Sequence, residues 1–191
     1  MKRLVQLSFL ILLLNFLPGS LTGGTNEPLR EAKLKLLLKL LTVNQNSRLT
    51  EADTVRIEIV YDPSDPASNQ EAVDLREIRL LDATHLLKDY TFTLQIEPWQ
   101  HFLFQKRPVY SGLILVPGKH LPVKNIIFYA YRHHIFTMSL HPEQLAEGVA
   151  ASVKYSRYGT PQIVLNLKAV AKSGAKFGPE ILQMVKFYHA N

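Results

Sequence analysis

The stretch that decides the fold is residues 54–68, TVRIEIVYDPSDPAS. Its first eight residues are β-branched and largely apolar, and they suit a short strand in the core. Residues 62–66, Asp-Pro-Ser-Asp-Pro, then end the strand, because proline cannot extend a strand ladder and Asp and Ser favour turns. Ser68 is a suitable N-cap for a helix over residues 69–81. The stretch therefore predicts a strand, a turn and a helix in succession.

Helix and strand patterns alternate through most of the chain. Apolar residues recur at helical spacing over residues 29–40, with Pro28 in the first turn, where its missing N–H is tolerated. Further strands are predicted at residues 91–96, 111–116 and 135–139, and further helices at residues 99–104 and 123–130. Several of the strands are continuous apolar runs, which is typical of a mostly parallel sheet covered on both faces.

The C-terminal part has a different pattern. Two strands, residues 149–156 and 162–166, flank a turn at residues 157–161, which indicates a hairpin. A helix then begins near Leu167 and breaks at Gly174, and a last helix begins at Pro179. We expect one α/β domain over residues 25–191: a three-layer sandwich whose mostly parallel sheet ends in a C-terminal antiparallel hairpin.

The N-terminus has the three parts of a secretory signal. Lys2 and Arg3 precede an apolar run that reaches Leu17, and Pro18 and small residues follow as far as Gly24. This pattern predicts a cleavable signal peptide over residues 1–24, and therefore an exported protein. An uncleaved N-terminal anchor is the alternative.

Composition excludes several classes of protein. The 191 residues contain no cysteine, so disulfide scaffolds and cysteine nucleophiles are ruled out. The formal net charge is +6, and lysines and arginines cluster at residues 30–39 and 168–176. Both clusters fall on predicted helices, where a solvated face is the ordinary interpretation and a membrane surface or acidic partner is the alternative. Aromatic residues are not interleaved with the cations, so we expect no nucleic-acid partner.

Two loops on one edge of the sheet are candidates for a ligand site. Ligands of open parallel sheets bind beyond the carboxyl ends of the strands. The turn after the first strand and the Pro-Gly-Lys turn after the third strand lie at that edge. The alternative is that these residues only form turns and cap a helix. The candidate ligand-binding residues are Asp62, Ser64, Asp65, Ser68, Gly118 and Lys119.

No pattern in the sequence indicates catalysis, a metal site or a cofactor. The histidines lack metal-ligand spacing, and there is neither a G-x-S-x-G elbow nor a phosphate-binding glycine loop. We therefore expect a binding protein rather than an enzyme, with no metal and no cofactor. The seven histidines are His85, His101, His120, His133, His134, His141 and His189.

Aromatic residues near the end of one helix and at the C-terminus are candidates for partner binding. Packing in the core is their ordinary role, and any ring left exposed could dock on a partner protein. The candidates are Phe128, Tyr131, Phe187 and Tyr188.

Several short segments resemble the YfiR/HmsC-like periplasmic proteins. In the C-terminal third these are EGVAA at residues 147–151, GTPQIVLNLKAV at 159–170, and GAKF at 174–177 followed by Ile181 and Leu182. The turn at residues 61–68 and LLKLLT at residues 37–42 are also similar to one branch of that family. Most of these residues are structural in character.

The resemblance implies a periplasmic regulator without enzymatic activity. Members are similar to repressors of an inner-membrane diguanylate cyclase, and relatives accompany sensor kinases. The implied partner is thus an inner-membrane signalling protein with a periplasmic domain, and a homodimer is left open. The best-studied members use disulfides, so redox control does not carry over to this chain. The alternative function is a periplasmic protein that binds a small solute.

Overall fold

The computed structural model describes residues 27–46, 54–78, 90–106 and 108–189, and the predicted signal peptide lies outside these ranges. The described residues form one seven-stranded sheet with helices packed around it. The strands are β1 (Thr54–Tyr61), β2 (Thr91–Pro98), β3 (Gly112–Leu115), β4 (Phe136–Ser139), β5 (Ala151–Tyr155), β6 (Pro161–Leu165) and β7 (Lys186–Phe187). The helices are α1 (Glu27–Thr42), α2 (Pro66–Glu77), α3 (Trp99–Phe104), α4 (Val123–Arg132), α5 (Leu167–Ser173) and α6 (Pro179–Met184), with a 3₁₀ helix at Pro142–Leu145.

The sheet has the order β2-β1-β3-β4-β5-β6-β7. Each adjacent pair from β2 to β5 is parallel, whereas β6 runs antiparallel to β5 and β7 runs parallel to β6. In the hairpin, Val153 lies opposite Ile163. This topology confirms the predicted α/β class and the mostly parallel sheet with an antiparallel hairpin near its C-terminal side.

Alternating residues of the central strands divide the core into two layers. Ile57 and Ile59 of β1 belong to a cluster that also contains residues of α1 and α2. Val60 of β1 and Leu113 of β3 belong to a second cluster, with residues of α3 and α4. Because successive side chains of a strand point to opposite faces, the sheet is covered on both sides.

Helix α1 is buried on more than one side, as its many leucines predict. Six of its leucines are nearly or fully buried, and it packs against β5, β6 and α2. Each buried leucine stabilises the fold by about 1.5–3 kcal/mol relative to an exposed one. No helix within the described ranges is long and apolar enough to cross a bilayer. The six leucines are Leu34, Leu36, Leu37, Leu38, Leu40 and Leu41.

The prediction that Ser68 caps α2 is wrong. The helix begins at Pro66, and Asp65 is its N-cap, with Oδ1 accepting the backbone N–H of Ala67 at 3.1 Å. Proline suits the first helical position because the N–H it lacks would have no partner there. The hydroxyl oxygen of Ser68 instead accepts the backbone N–H of Asp62 at 3.0 Å. The helix ends at Glu77, and the predicted end near residue 81 falls outside the described ranges.

Two elements were not predicted. Strand β7 has two residues, and the 3₁₀ helix has four. Both are too short to show a periodic pattern. Strand β7 is identified only by its pairing with β6, and the 3₁₀ helix only by its packing against its surroundings.

Candidate functional site

The loops predicted to bind a ligand do meet at one point of the sheet. Strand β1 lies between β2 and β3. The chain passes from β1 to β2 on one side of it, and β3, β4 and β5 follow on the other side. Such a switch point is where open α/β sheets leave a crevice beyond the carboxyl ends of their strands. The loop from β1 to α2 and the loop from β3 to α4 both begin there.

Asp62 joins these two loops. Its Oδ1 accepts the Ser64 hydroxyl at 2.7 Å and the Ser64 backbone N–H at 3.0 Å, and its Oδ2 accepts the backbone N–H of His120 at 2.8 Å. The residue is fully buried. Burial by itself would raise the pKa of Asp62, but the hydrogen bonds from Ser64 and His120 outweigh it and lower the pKa.

Asp65 and Gly118 complete this junction. Asp65 Oδ2 accepts the backbone N–H of Lys119 at 3.2 Å. A Cβ on Gly118 would lie 2.3 Å from Asp62 Cβ, so only glycine allows the loops to approach this closely. The six predicted residues are therefore close together, but the carboxylates of Asp62 and Asp65 are already bonded to the protein. Their role in ligand binding stays a prediction.

A pocket that the sequence analysis missed lies on the same edge of the sheet. Its volume is about 280 Å³. Leu140 and His141 follow β4 directly, and Tyr155 is the last residue of β5, so the pocket lies beyond the carboxyl ends of these two parallel strands. We call it the Lys33 pocket. Its lining residues are Leu29, Arg30, Lys33, Glu71, Leu140, His141 and Tyr155.

Lys33 brings a positive charge into this pocket, near the carboxylates of Glu71 and Glu143. Its Nζ donates to the backbone oxygen of Leu140 at 2.9 Å and lies 5.9 Å from the centroid of the Tyr155 ring. No salt bridge between described residues involves Lys33. Burial lowers the pKa of Lys33, and the charges of Glu143 and Glu71 oppose that shift. An anion placed here would favour the charged ammonium.

The other charged groups of the pocket are paired. His141 Nε2 lies 2.7 Å from Glu71 Oε1, and this hydrogen bond raises the pKa of His141 although burial opposes it. Arg30 forms a salt bridge of 2.5 Å with Asp74. Arg30 and His141 are thus each held by a neighbouring carboxylate, whereas Lys33 forms no salt bridge with a described residue and its ammonium can meet a ligand.

Local sequence patterns indicate little of this pocket because its residues come from four separate elements. Lys33 lies on α1, Glu71 on α2, His141 after β4 and Tyr155 at the end of β5. The sequence signal that points to it is His141, a polar residue two positions after a predicted core strand, since ligands of parallel sheets bind beyond the carboxyl ends of the strands.

The predicted partner-binding rings meet in a different place. Phe128 and Tyr131 of α4 and Tyr188 line one groove of about 570 Å³, between α4, α5 and the segment before β5. Phe187, the fourth predicted ring, is in β7 next to Tyr188 and is partly exposed. We call this the aromatic groove. It is lined by Lys124, Ile127, Phe128, Tyr131, Ala146, Glu147, Gly148, Asn166, Leu167, Lys168, Ala169, Lys172 and Tyr188.

The histidines occupy separate places in the fold. His141 contacts Glu71 and Glu143, and His101 lies 3.3 Å from Glu97. His133 and His134 follow α4. In the described part of the chain, no three metal-ligating side chains come together. His85 lies outside the described residues.

No family model matches the chain, and no curated protein matches it. Solved structures do share its fold. One is described as the ABC domain in complex with L-Trp from Streptococcus pneumonia, with a TM-score of 0.54 and 10% identity over 83% of this chain. Another is CD0873 from Clostridium difficile, a substrate binding protein with adhesive properties in its ligand-free, open structure, with a TM-score of 0.54 and 12% identity over 81% of this chain.

A third similar structure is a conserved domain protein from Vibrio cholerae, with a TM-score of 0.51 and 12% identity over 81% of this chain. In each comparison the match covers 59% of the other protein, so this chain spans less than two thirds of their length. At these identities the comparisons establish the α/β fold alone.

Proposed function

We propose that this chain is an exported, non-enzymatic protein that binds a small anionic solute in the Lys33 pocket. The observation that carries the proposal is the ammonium of Lys33, which reaches a pocket beyond the carboxyl ends of β4 and β5. Among the described residues it donates to the backbone oxygen of Leu140 and forms no salt bridge. A carboxylate or phosphate group on the solute would supply the missing negative charge.

The size and lining of the pocket support this proposal. A volume of about 280 Å³ is near the lower end for ligand pockets and suits a solute the size of an amino acid or small organic acid. Leu29 and the Tyr155 ring offer apolar contact beside the charges. Two of the similar structures are described by their ligands, as a complex with L-Trp and as a substrate binding protein, which is consistent with solute binding on this fold.

Thermal unfolding of the mature protein with a panel of small carboxylates, amino acids and phosphate esters tests the proposal. A solute at a hundredfold excess over its Kd stabilises the folded state by about 2.7 kcal/mol. For a domain of this size, that corresponds to a rise in Tm of about 5–10 °C.

Lys33→Met and Lys35→Met form a matched pair for this test. Both residues lie on α1, but Lys35 is paired with Glu31 and does not line the pocket. We expect Lys33→Met to abolish the rise in Tm and Lys35→Met to keep it. The proposal fails if no solute raises the Tm, or if the two variants respond equally.

Export is the second part of the proposal, and it rests on the N-terminal sequence. We expect the mature protein in the periplasmic fraction, with Thr25 as its first residue after cleavage behind Gly24. N-terminal sequencing of the fractionated protein checks this. A full-length protein that remains with the membrane would instead support an uncleaved anchor.

A second candidate function is the regulation of an inner-membrane signalling protein through its periplasmic domain. The observation that favours it is the arrangement of Phe128, Tyr131 and Tyr188 around one groove, with Phe187 beside it. A photo-crosslinking residue at position 128, with position 104 as an exposed control, tests this in cells. Capture of a signalling protein at position 128 alone would support this function, and equal capture at both positions would count against it.

A further inference from the structure

We propose that the aromatic groove binds an acidic segment of a partner protein that also carries apolar side chains. The inference gives the partner chemistry for the second candidate function and rests on it. It is independent of the Lys33 pocket.

One wall of the groove is a continuous face of α4. Lys124, Ile127, Phe128 and Tyr131 follow the spacing i, i+3, i+4 and i+7, which places them on one side of the helix. The Tyr131 hydroxyl donates to the backbone oxygen of Gly148 at 2.6 Å, so this ring is held in position. The wall is therefore largely apolar, with a lysine at its N-terminal end.

The opposite wall comes from α5 and carries two more lysines. Leu167, Lys168 and Lys172 line it, and Lys172 Nζ lies 5.6 Å from the centroid of the Tyr131 ring across the groove. That contact places one lysine close to the apolar wall. The groove is thus bounded by cations on both sides.

Exposure shows that the apolar part of the groove is available to a partner. Phe128 is 63% exposed and Leu167 is 47% exposed. Both are large apolar side chains, and they line the same groove from opposite walls. Apolar side chains that cluster at the surface mark interaction sites more often than scattered ones do.

Charge determines which partner fits. Three lysines and one glutamate, Glu147, line the groove, and no salt bridge in the described part of the chain involves any of the three lysines. A segment with two or more carboxylates would complement this excess of positive charge. A neutral or basic segment would not.

Shape favours a protein segment over a membrane. The α4 face from position 124 to position 131 is about 10 Å long at 1.5 Å per residue, which matches about three residues of extended chain. The groove has two walls and a volume of about 570 Å³, so a narrow chain can enter it. A flat bilayer would reach only its rim.

Fluorescence anisotropy with a labelled synthetic peptide tests the proposal. In the peptide, glutamates alternate with leucine and tryptophan, and in the control peptide lysines replace the glutamates. We expect the acidic peptide alone to bind the mature protein, and we expect added salt to weaken binding because the charges are exposed. Binding of both peptides, or of neither, would overturn the proposal.

Variants with matched controls locate the binding site. We expect the double variant Lys124→Glu, Lys172→Glu and the variant Phe128→Ser each to weaken binding by about tenfold or more. Lys154→Glu and Phe104→Ser change exposed residues of the same types outside the groove and should bind like the wild type. Equal losses in the control variants would place the peptide elsewhere and contradict the proposal.

Vesicles of anionic phospholipid provide the competing outcome. If vesicles bind with the same dependence on Lys124 and Phe128 while the acidic peptide does not, the groove is a membrane contact and the proposal is wrong. If the peptide binds as expected but no signalling protein is crosslinked in cells, the peptide site stands and the regulatory function fails.

Discussion

Asp62 Oδ2 accepts the backbone N–H of His120 at 2.8 Å, across 58 positions of the sequence. This hydrogen bond connects the loop after β1 to the loop after β3 at the switch point of the sheet. Other α/β sheets of this strand order bind their ligands in that crevice. Here the Asp62 carboxylate already accepts the backbone N–H groups of Ser64 and His120. Lys33, which forms no salt bridge with any described residue, lies further along the same edge.

We expect Asp62→Ala to lower the free energy of unfolding by about 2–4 kcal/mol, because it leaves the backbone N–H groups of Ser64 and His120 without their acceptor. Chemical denaturation measures the change. Asp65→Ala is the control with a smaller expected effect. It removes mainly the N-cap of α2 and should lower the free energy of unfolding by about 1 kcal/mol. Equal effects of the two changes would contradict the central role of Asp62 in the junction.

His134 is the described non-glycine residue with a positive φ, 53°. It ends α4 in a Schellman motif, in which Ile135 N–H donates to Ala130 O at 2.9 Å and His134 N–H donates to Tyr131 O at 3.2 Å. Glycine adopts this conformation without steric cost. We therefore expect His134→Gly to stabilise the protein by about 0.5–1 kcal/mol in chemical denaturation.

His133→Gly is the matched control for that change. The neighbouring His133 has a φ of −104°, which any residue adopts, and its ring lies 4.5 Å from the Tyr129 ring, centroid to centroid. Glycine at this position should therefore destabilise the protein. A stabilising effect at position 133, or a loss at position 134, would argue against the conformational explanation.

Glu58 makes the stability depend on pH. It lies in the middle of β1, and both of its carboxylate oxygens are buried near the Tyr110 hydroxyl. Burial raises the pKa of Glu58 from 4.5 to about 7, although the Tyr110 hydroxyl opposes the shift, and the charge of Glu97 adds to it. The folded state therefore holds this proton more tightly than the unfolded state does.

Because the pKa is raised in the folded state, the stabilising effect of protonated Glu58 is complete below pH 4.5 and is lost as the pH rises to about 7. We expect the wild type to lose about 2–3 kcal/mol of stability over that interval. Glu58→Gln should remove this dependence. Denaturation curves at several pH values check the result, and parallel profiles for the two proteins would refute it.

The His141–Glu71 pair predicts a second effect of pH. The hydrogen bond to Glu71 raises the pKa of His141 in the folded state. Its stabilising contribution is therefore complete below the ordinary histidine pKa of 6.5 and is lost as the pH rises through the raised value. We expect Glu71→Gln to destabilise the protein by about 1 kcal/mol at pH 6 and by much less at pH 9.

Glu143→Gln is the control for this pair. Glu143 lies 3.3 Å from the other ring nitrogen of His141, and its side chain is largely exposed. Solvent screens such a contact, so this change should have little effect at either pH. If the two variants behave alike, the hydrogen bond between His141 and Glu71 is not the source of the pH effect.

Most of the fold could be predicted from local patterns. The predicted bounds of β1 and of α3 agree with the observed ones. The hairpin is predicted by the two strand patterns that flank the turn at residues 157–161. These predictions succeed because strand and helix periodicity, proline positions and turn residues act over a few neighbouring residues. The prediction for the cap of α2 is wrong by three positions: Asp65 and Ser68 are both good caps, and Pro66, which suits the first helical position, favours Asp65.

The sequence by itself determined the α/β class, the mostly parallel character of the sheet, the absence of disulfides and the residues of the loops after β1 and β3. The tertiary structure decided what those residues do, because it bonded Asp62 to His120 and left Lys33, from a helix far away in sequence, at the edge of β4 and β5. Burial and pairing of charges depend on contacts between distant segments, and a local pattern carries no information about them.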